Sequence, residues 1–263
     1  MCRRDMLLPG RRDGIREVRY GGGPFRRENH LWTGMCVGGG TLRMSGLFLP
    51  LQPDDCPSTA NSAAGGAPWP ISCEELAPWY GRVERDIGVS GDETKTPGRT
   101  RPFPFGPLKE HAFAKRIDEV CAGGNPTVFP TPRAIISKDW NDRKECCYTG
   151  LCGSYPCKND AKSSTLVSYI PRALATKNAT LITQSQVYRL EANADGIREV
   201  HYFDHADNGR AKTIRADCFV LAASAIESAR ILLNSATVHH PAGLANSSGQ
   251  VGKNLGFQMP CEV

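Results

Sequence analysis

One stretch of this chain, residues 218–233, constrains the fold more than any other. It begins with Cys218-Phe219-Val220-Leu221-Ala222-Ala223, an unbroken apolar run that is typical of a strand buried on both faces. The run leads directly into Ser224-Ala225-Ile226-Glu227, where serine and glutamate have the spacing of a helix-capping box. A buried strand that turns tightly into a capped helix is the local geometry of nucleotide-binding α/β folds. We therefore predict an α/β fold with α+β character.

Two more strand-like runs precede that stretch, over residues 179–190 and 197–203, and the third strand is predicted over 213–223. The three runs are separated by sequences that favour turns: Asn193-Ala194-Asp195-Gly196 and Asp207-Asn208-Gly209. Before them, a spacing of four predicts a helix that Pro171 would kink: Leu166, Ile170 and Leu174.

The clearest helix signal begins at Ser72, which forms a second capping box with Glu75. Apolar residues then recur on one helical face, at Leu76, Tyr80, Val83 and Ile87, and Gly88 is placed to end the helix. A shorter helix is predicted over 111–120, with Phe113, Ile117 and Val120 on one side. The length of 263 residues allows one to two domains of about 150 residues each.

Two segments have the small residues that a bound cofactor requires for close approach. Val37-Gly38-Gly39-Gly40-Thr41 could bring backbone N–H groups onto an anion such as pyrophosphate, although a plain surface turn explains the same run. Ala222-Ala223-Ser224-Ala225 lies at a predicted helix N-terminus, which favours negative charge. Close packing of that helix on a sheet is the alternative. No Gly-x-Gly-x-x-Gly motif lies between a strand and a helix.

Eleven cysteines are many for this length, and four of them cluster: Cys146, Cys147, Cys152 and Cys157. Thiolates at such spacings can hold an iron–sulfur cluster or zinc, but the pattern fits neither a zinc ribbon nor a bacterial ferredoxin. Loop disulfides or free thiols are the alternatives. Cys36, Cys73 and Cys218 lie in apolar or amphipathic stretches and are predicted to be buried thiols. This usage favours a reducing compartment such as the cytoplasm.

Composition excludes several function classes. The net charge of +5 is too dilute to indicate nucleic-acid binding, and no basic stripe is interleaved with aromatic residues. No run reaches the roughly 18 apolar residues of a membrane span, and no secretion signal follows the basic start. Ser224 has no Gly-x-Ser-x-Gly surroundings, and the histidines form no triad or metal signature, so hydrolase chemistry is not indicated.

Together these segments resemble the glucose–methanol–choline (GMC) family of flavoprotein oxidoreductases, and more narrowly its gluconate/sugar-dehydrogenase-like branch. Four motifs in the family's order, over about residues 31–256, carry the resemblance: Trp32 with Val37-Gly38-Gly39-Gly40-Thr41; Trp69-Pro70-Ile71-Ser72 through Tyr80 with Ile87 to Gly91; Cys152 to Cys157 with Ala161-Lys162-Ser163-Ser164; and Val220 to Leu233 with Asn246-Ser247-Ser248-Gly249 through Leu255.

The resemblance implies an incomplete FAD-binding domain of Rossmann-like type, with segments over residues 31–60 and 160–256. Residues 61–159 correspond to an inserted helical and loop-rich region with the cysteine cluster, and residues 1–30 to an irregular N-terminal segment. The family's first βαβ unit, its catalytic histidine region and most of its substrate domain have no counterpart here. We therefore expect an internal fragment of such an enzyme, inactive on its own.

The resemblance also implies the chemistry. FAD would accept a hydride at N5 from a CH–OH group of an alcohol or sugar, and the electron acceptor stays open. The implied FAD contacts are Val37, Gly38, Gly39, Gly40, Thr41, Val187, Ala223 and Ser224. No histidine follows the glycine run in Leu42-Arg43-Met44, so FAD is expected to bind non-covalently. An iron–sulfur cluster on the four cysteines is implied for that branch, and an inactive remnant or a cysteine-cluster binding module is the rival interpretation.

Overall fold

The computed structural model describes residues 16–18, 26–28, 34–51, 70–122, 128–149, 152–153, 155–253 and 255. The chain forms two compact units, Met1–Thr180 and Leu181–Val263, and each is described by itself. Four residues of the four family motifs lie outside the described residues: Trp32, Trp69, Ser154 and Asn254.

The predicted helix at Ser72 is confirmed as α1, Cys73–Ile87. The Ser72 hydroxyl accepts from the Glu75 N–H at 3.2 Å, and the Glu75 carboxylate accepts from the Ser72 N–H at 2.7 Å. Both bonds of the capping box are therefore formed. Gly88 ends the helix with a φ of +83°, a left-handed conformation that disfavours other residues, and its missing Cβ leaves room for Ile136.

The first unit is built mainly of loops around two apolar clusters. One contains Ile87, Val89, Phe103 and Ala134, and the other contains Phe105, Ile135, Ile136 and Ala161. Short bridges connect the loops, since Ser90 pairs with both Phe105 and Arg133 and Ile135 pairs with Lys162. The core of this unit is therefore formed by segments that are distant in sequence and are joined through single residue pairs.

Two shorter helices of this unit differ from the sequence expectation in detail. The helix α2, Ala112–Cys121, forms where predicted, but Phe113 and Val120 are each 69% exposed. The helix α3, Tyr169–Ala175, begins after Leu166, which places Pro171 in its first turn. Proline is tolerated there because the N–H groups of a first turn have no intrahelical partner, so the predicted kink is wrong.

The second unit is an antiparallel sheet covered by a helix. Its strands are β3 (Ser185–Asn193), β4 (Gly196–Asp204) and β5 (Arg210–Arg215), in the order β3-β4-β5. The helix α4, Ala225–Asn234, packs against β3. The apolar cluster between them contains Leu190, Ala192, Ile231 and Leu244. The two predicted turns do separate these strands, at Ala194-Asp195 and His205 to Gly209.

The predicted buried strand over 213–223 is wrong beyond Arg215. Residues 216–223 are not in a strand, Cys218 is exposed, and Val220 is 87% exposed. A strand buried on both faces needs neighbours on both edges and layers above and below it. Within the described residues no segment pairs with 216–223, so its apolar character alone does not produce a strand.

Two other expectations are corrected. Cys36 and Cys218 are exposed and Cys73 is half-buried, because the segments around them are not covered within their units. The first 30 residues contain the antiparallel pair β1, Arg16–Val18, and β2, Arg26–Glu28. Three-residue strands are held by backbone hydrogen bonds and need no apolar alternation to form.

Among the described helices, none is long and apolar enough to cross a membrane.

Candidate functional site

The glycine segment Val37–Thr41 folds into a short 3₁₀ turn, Gly39–Leu42, preceded by Gly38 at a φ of +96°. A Cβ on Gly34 would lie 2.7 Å from the Gly39 carbonyl carbon and oxygen, so this turn requires glycine at position 34 too. Gly40 is exposed, and no heavy atom lies within 4 Å of the position a Cβ would take. The backbone at Gly40 is therefore open to a ligand.

Two threonines hold this turn in place. The Thr41 hydroxyl donates to the Gly38 carbonyl and accepts from the Thr165 N–H at 3.1 Å. The Thr165 hydroxyl also donates to the Gly38 carbonyl at 3.3 Å. Thr165 was missed by the sequence reasoning, since nothing in a lone threonine shows that it will meet a segment 124 positions earlier.

The remaining predicted FAD contacts lie in the second unit. Val187 is half-buried at a β-bulge of β3, opposite Tyr202, and Ala223 precedes α4. Val187 and Ala223 both pack against the apolar cluster of Leu190, Ala192, Ile231 and Leu244. Val37–Thr41 lie in the first unit.

Ser224 has an unusual backbone conformation for a helix N-cap. Its φ is +76° and its ψ is 163°, a region occupied almost only by glycine. Its hydroxyl still accepts from the Glu227 N–H at 3.5 Å, so the serine half of the predicted capping box is present. The Glu227 carboxylate pairs with Arg230 at 2.7 Å.

Replacing Ser224 with glycine is expected to stabilise the second unit by about 1 kcal/mol. Relief of the strained φ contributes about 1–3 kcal/mol, and the loss of the serine cap and the extra freedom of unfolded glycine offset some of it. Urea denaturation followed by circular dichroism measures the change. Ser247→Gly is the control, because Ser247 is exposed and has no positive φ. A Ser224→Gly variant no more stable than Ser247→Gly would contradict the strain.

The four clustered cysteines differ in surroundings. Cys146 and Cys157 pack against the cluster of Phe105, Ile135, Ile136 and Ala161, whereas Cys147 is exposed. Burial raises the pKa of the Cys146 thiol. Across the residues that the structure describes, no three side chains of His, Cys, Asp or Glu are grouped so that they could hold a metal ion. The described loop does not fit a preformed metal centre.

A buried lysine connects this cysteine loop to Met44, just after the 3₁₀ turn of the glycine segment. The Lys162 ammonium, in a residue only 3% exposed, donates to the carbonyls of Met44, Cys152 and Tyr155, each at 2.7 Å. Burial lowers its pKa, and the thiol groups of Cys152 and Cys157 act in the opposite direction. The ammonium therefore fixes the loop after Cys152 relative to the chain that leaves the 3₁₀ turn.

Arg143 has a comparable structural role in the core of the same unit. Its guanidinium donates to the carbonyls of Ile87, Asp160 and Ala161 and to the Ser163 hydroxyl, at 2.7–3.0 Å. The C-terminal end of α1 is thereby joined to the segment that follows the cysteine loop. Sequence reasoning assigned Arg143 no role, because a buried arginine has no local sequence signal.

Comparison with known proteins identifies the family. A family model described as GMC oxidoreductase matches residues 110–259. The chain belongs to the GMC oxidoreductase family, as the four motifs predicted.

Two individual relatives are similar to this chain over most of its length. The chain is 32% identical to paromamine 6'-oxidase of Streptomyces fradiae over 92% of its own length and 44% of that protein. It is 31% identical to 2-methyl-1,2-propanediol dehydrogenase of Mycolicibacterium austroafricanum over 83% of its own length and 40% of that protein. It thus spans less than half of either relative.

Among solved structures, an FAD-dependent oxidoreductase from Chaetomium thermophilum is similar with a TM-score of 0.52. The two sequences are 17% identical, and the similarity covers 78% of this chain and 35% of the other. At that identity the comparison supports the fold, which agrees with the predicted mixed α/β class.

Proposed function

We propose that this chain supplies FAD-binding segments of an oxidoreductase that acts on a CH–OH group of an alcohol or sugar. The observation that carries the proposal is the GMC family match over residues 110–259. When bound, FAD would accept a hydride at N5 from the donor carbon. The two relatives named above, an oxidase of paromamine and a dehydrogenase of a diol, support hydroxyl groups as the substrate class. The electron acceptor stays open.

The proposed contacts are those that the resemblance implies, and the open backbone of Gly40 is the structural observation that supports them. The open backbone of Gly40, with Val37, Gly38, Gly39 and Thr41 around it, would lie against the flavin ring and phosphates. In the second unit, backbone groups at Val187 would hold the adenine. Ala223 and Ser224 precede the N-terminus of α4, which attracts negative charge. No residue is proposed as the catalytic base, and binding is proposed to be non-covalent.

Gly40→Ala tests the glycine segment directly. We expect FAD affinity to fall at least about tenfold, since the added methyl group occupies the face that the flavin approaches. The φ of Gly40 is not positive and no atom lies near its missing Cβ, so the fold should be unchanged. The measurement is the flavin absorbance that stays with the 263-residue chain through gel filtration after titration with FAD.

Gly106→Ala is the matched control, because Gly106 is also exposed with nothing within 4 Å of a Cβ. It should bind FAD as the parent chain does. Equal affinity of both variants would remove the glycine segment from the proposed site. A parent chain that retains no flavin would show that these segments do not bind FAD without the family's first βαβ unit. A continuing reading frame on either side in the DNA then distinguishes an enzyme from the rival proposal of an inactive remnant.

The iron–sulfur cluster is a separate proposal that rests on the resemblance of the segment with Cys146, Cys147, Cys152 and Cys157. Among the described residues the structure adds no grouped set of ligands to that resemblance. Assays of iron and acid-labile sulfide on anaerobically purified protein decide it. Stoichiometric iron and sulfide would support a cluster, whereas zinc would favour a cysteine-cluster binding module and the absence of any metal would leave free thiols.

A further inference from the structure

A cleft beside α1 carries more positive charge than its own acidic groups neutralise. It measures about 280 Å³ and lies in the first unit, between the C-terminal half of α1 and the segment 99–104. Three guanidinium groups line it, from Arg85, Arg99 and Arg101, and Glu84 is the acidic residue among its lining. Pro102, Phe103 and Pro104 form an apolar wall.

The carboxylate of Glu84 is already occupied by Arg99. The two side chains form a bidentate pair of hydrogen bonds, at 2.6 and 2.7 Å, and are 2% and 5% exposed. The Arg99 N–H groups also donate to the carbonyls of Arg101 and Pro102. Arg99 and Glu84 therefore neutralise each other, and the charge of the other two arginines remains.

Arg85 and Arg101 approach each other over Gly81. A Cβ placed on Gly81 would lie 2.5 Å from the Nη1 atom of Arg101 and 3.4 Å from the Nη1 atom of Arg85. Arg101 is held there by a hydrogen bond to the Ala77 carbonyl. Within the described residues, the side chain of Arg85 forms no ion pair or hydrogen bond. Two neighbouring guanidinium groups repel each other unless an anion lies between them.

We propose that Arg85 and Arg101 bind a phosphate group, supplied either by inorganic phosphate or by a small phosphate monoester. Guanidinium forks match the geometry and charge of phosphate oxygens. The surplus of two positive charges suits a dianion, and the proline wall leaves room for the organic portion of an ester. This proposal does not rest on the proposed flavin chemistry.

Isothermal titration of the 263-residue chain with inorganic phosphate, at constant ionic strength, tests the proposal. Saturable binding is expected, and Arg85→Gln should weaken it at least about tenfold, the value of a hydrogen-bonded charge. Arg82→Gln is the control: it removes the same charge from the same helix, but Arg82 is 68% exposed and faces Asp86 at 3.9 Å. The affinity of this variant for phosphate should stay within about twofold, since Arg82 does not line the cleft and Asp86 already offsets its charge.

If both variants weakened phosphate binding equally, the binding would reflect general attraction of phosphate to a positively charged surface. That result would overturn the proposed site. Arg85 is exposed, so its replacement should leave the circular dichroism spectrum unchanged. Glucose 6-phosphate, titrated in parallel, distinguishes the two sources. Tighter binding than inorganic phosphate supports a monoester, weaker binding supports the free ion, and saturation by neither overturns the proposal.

Discussion

Replacing Glu84 with glutamine is expected to lower the free energy of unfolding by about 3–5 kcal/mol, the usual result of breaking one side of a buried ion pair. The substitution keeps size and shape but leaves the Arg99 guanidinium, which is 5% exposed, without its counter-charge. Two carbonyls and the Phe103 ring, 3.8 Å away, are its remaining partners. Urea denaturation of the full chain, followed by circular dichroism, measures the loss.

The matched control is Glu119→Gln. Glu119 pairs with Arg116 at 2.8 Å, but the two side chains are 64% and 72% exposed, so the loss should stay below about 1 kcal/mol. Losses of similar size in both variants would show that water reaches Arg99 and that the pair contributes little. The double variant Glu84→Leu with Arg99→Met should lose less than the sum of its two single changes, since it leaves no unpaired charge.

Local sequence signals predicted those elements of the fold that local interactions form. The capping box of Ser72 and Glu75, with Gly88 at the other end, bounded α1 correctly because both signals act within a few residues. The turn sequences before Gly196 and around Asn208 separated the strands of the second unit for the same reason. The family itself was predictable because four motifs occur in order, and the family match over 110–259 confirms it.

The errors arose where structure depends on distant partners. The run 218–223 has the composition of a central strand, but a strand forms only when another segment offers its N–H and C=O groups. Cys36 and Cys218 were misplaced similarly, since apolar neighbours predict burial only when something covers them. Thr165, Lys162 and Arg143 shape the candidate site through contacts with carbonyls far along the chain, and such contacts leave no pattern in a single sequence.

Lys162→Met is expected to be the second most damaging substitution, with a loss of about 2–4 kcal/mol. Three carbonyls would lose their donor, each at a cost of about 1 kcal/mol or more, and removal of a buried charge offsets some of that cost. The substitution should release one loop as well as lower the free energy of unfolding of the chain. The loop containing the Cys152 and Tyr155 carbonyls would detach from Met44, which follows the Gly39–Leu42 turn.

Iodoacetamide therefore provides a second readout, because Cys152 should be alkylated faster in the Lys162→Met variant while the already exposed Cys36 keeps its rate. Lys158→Met is the control, since Lys158 lies in the same loop but is exposed, and it should change neither stability nor alkylation. If stability falls while the Cys152 rate is unchanged, Lys162 supports the core without restraining the loop. If FAD affinity falls together with an increased Cys152 rate, the ammonium also preserves the shape of the glycine turn.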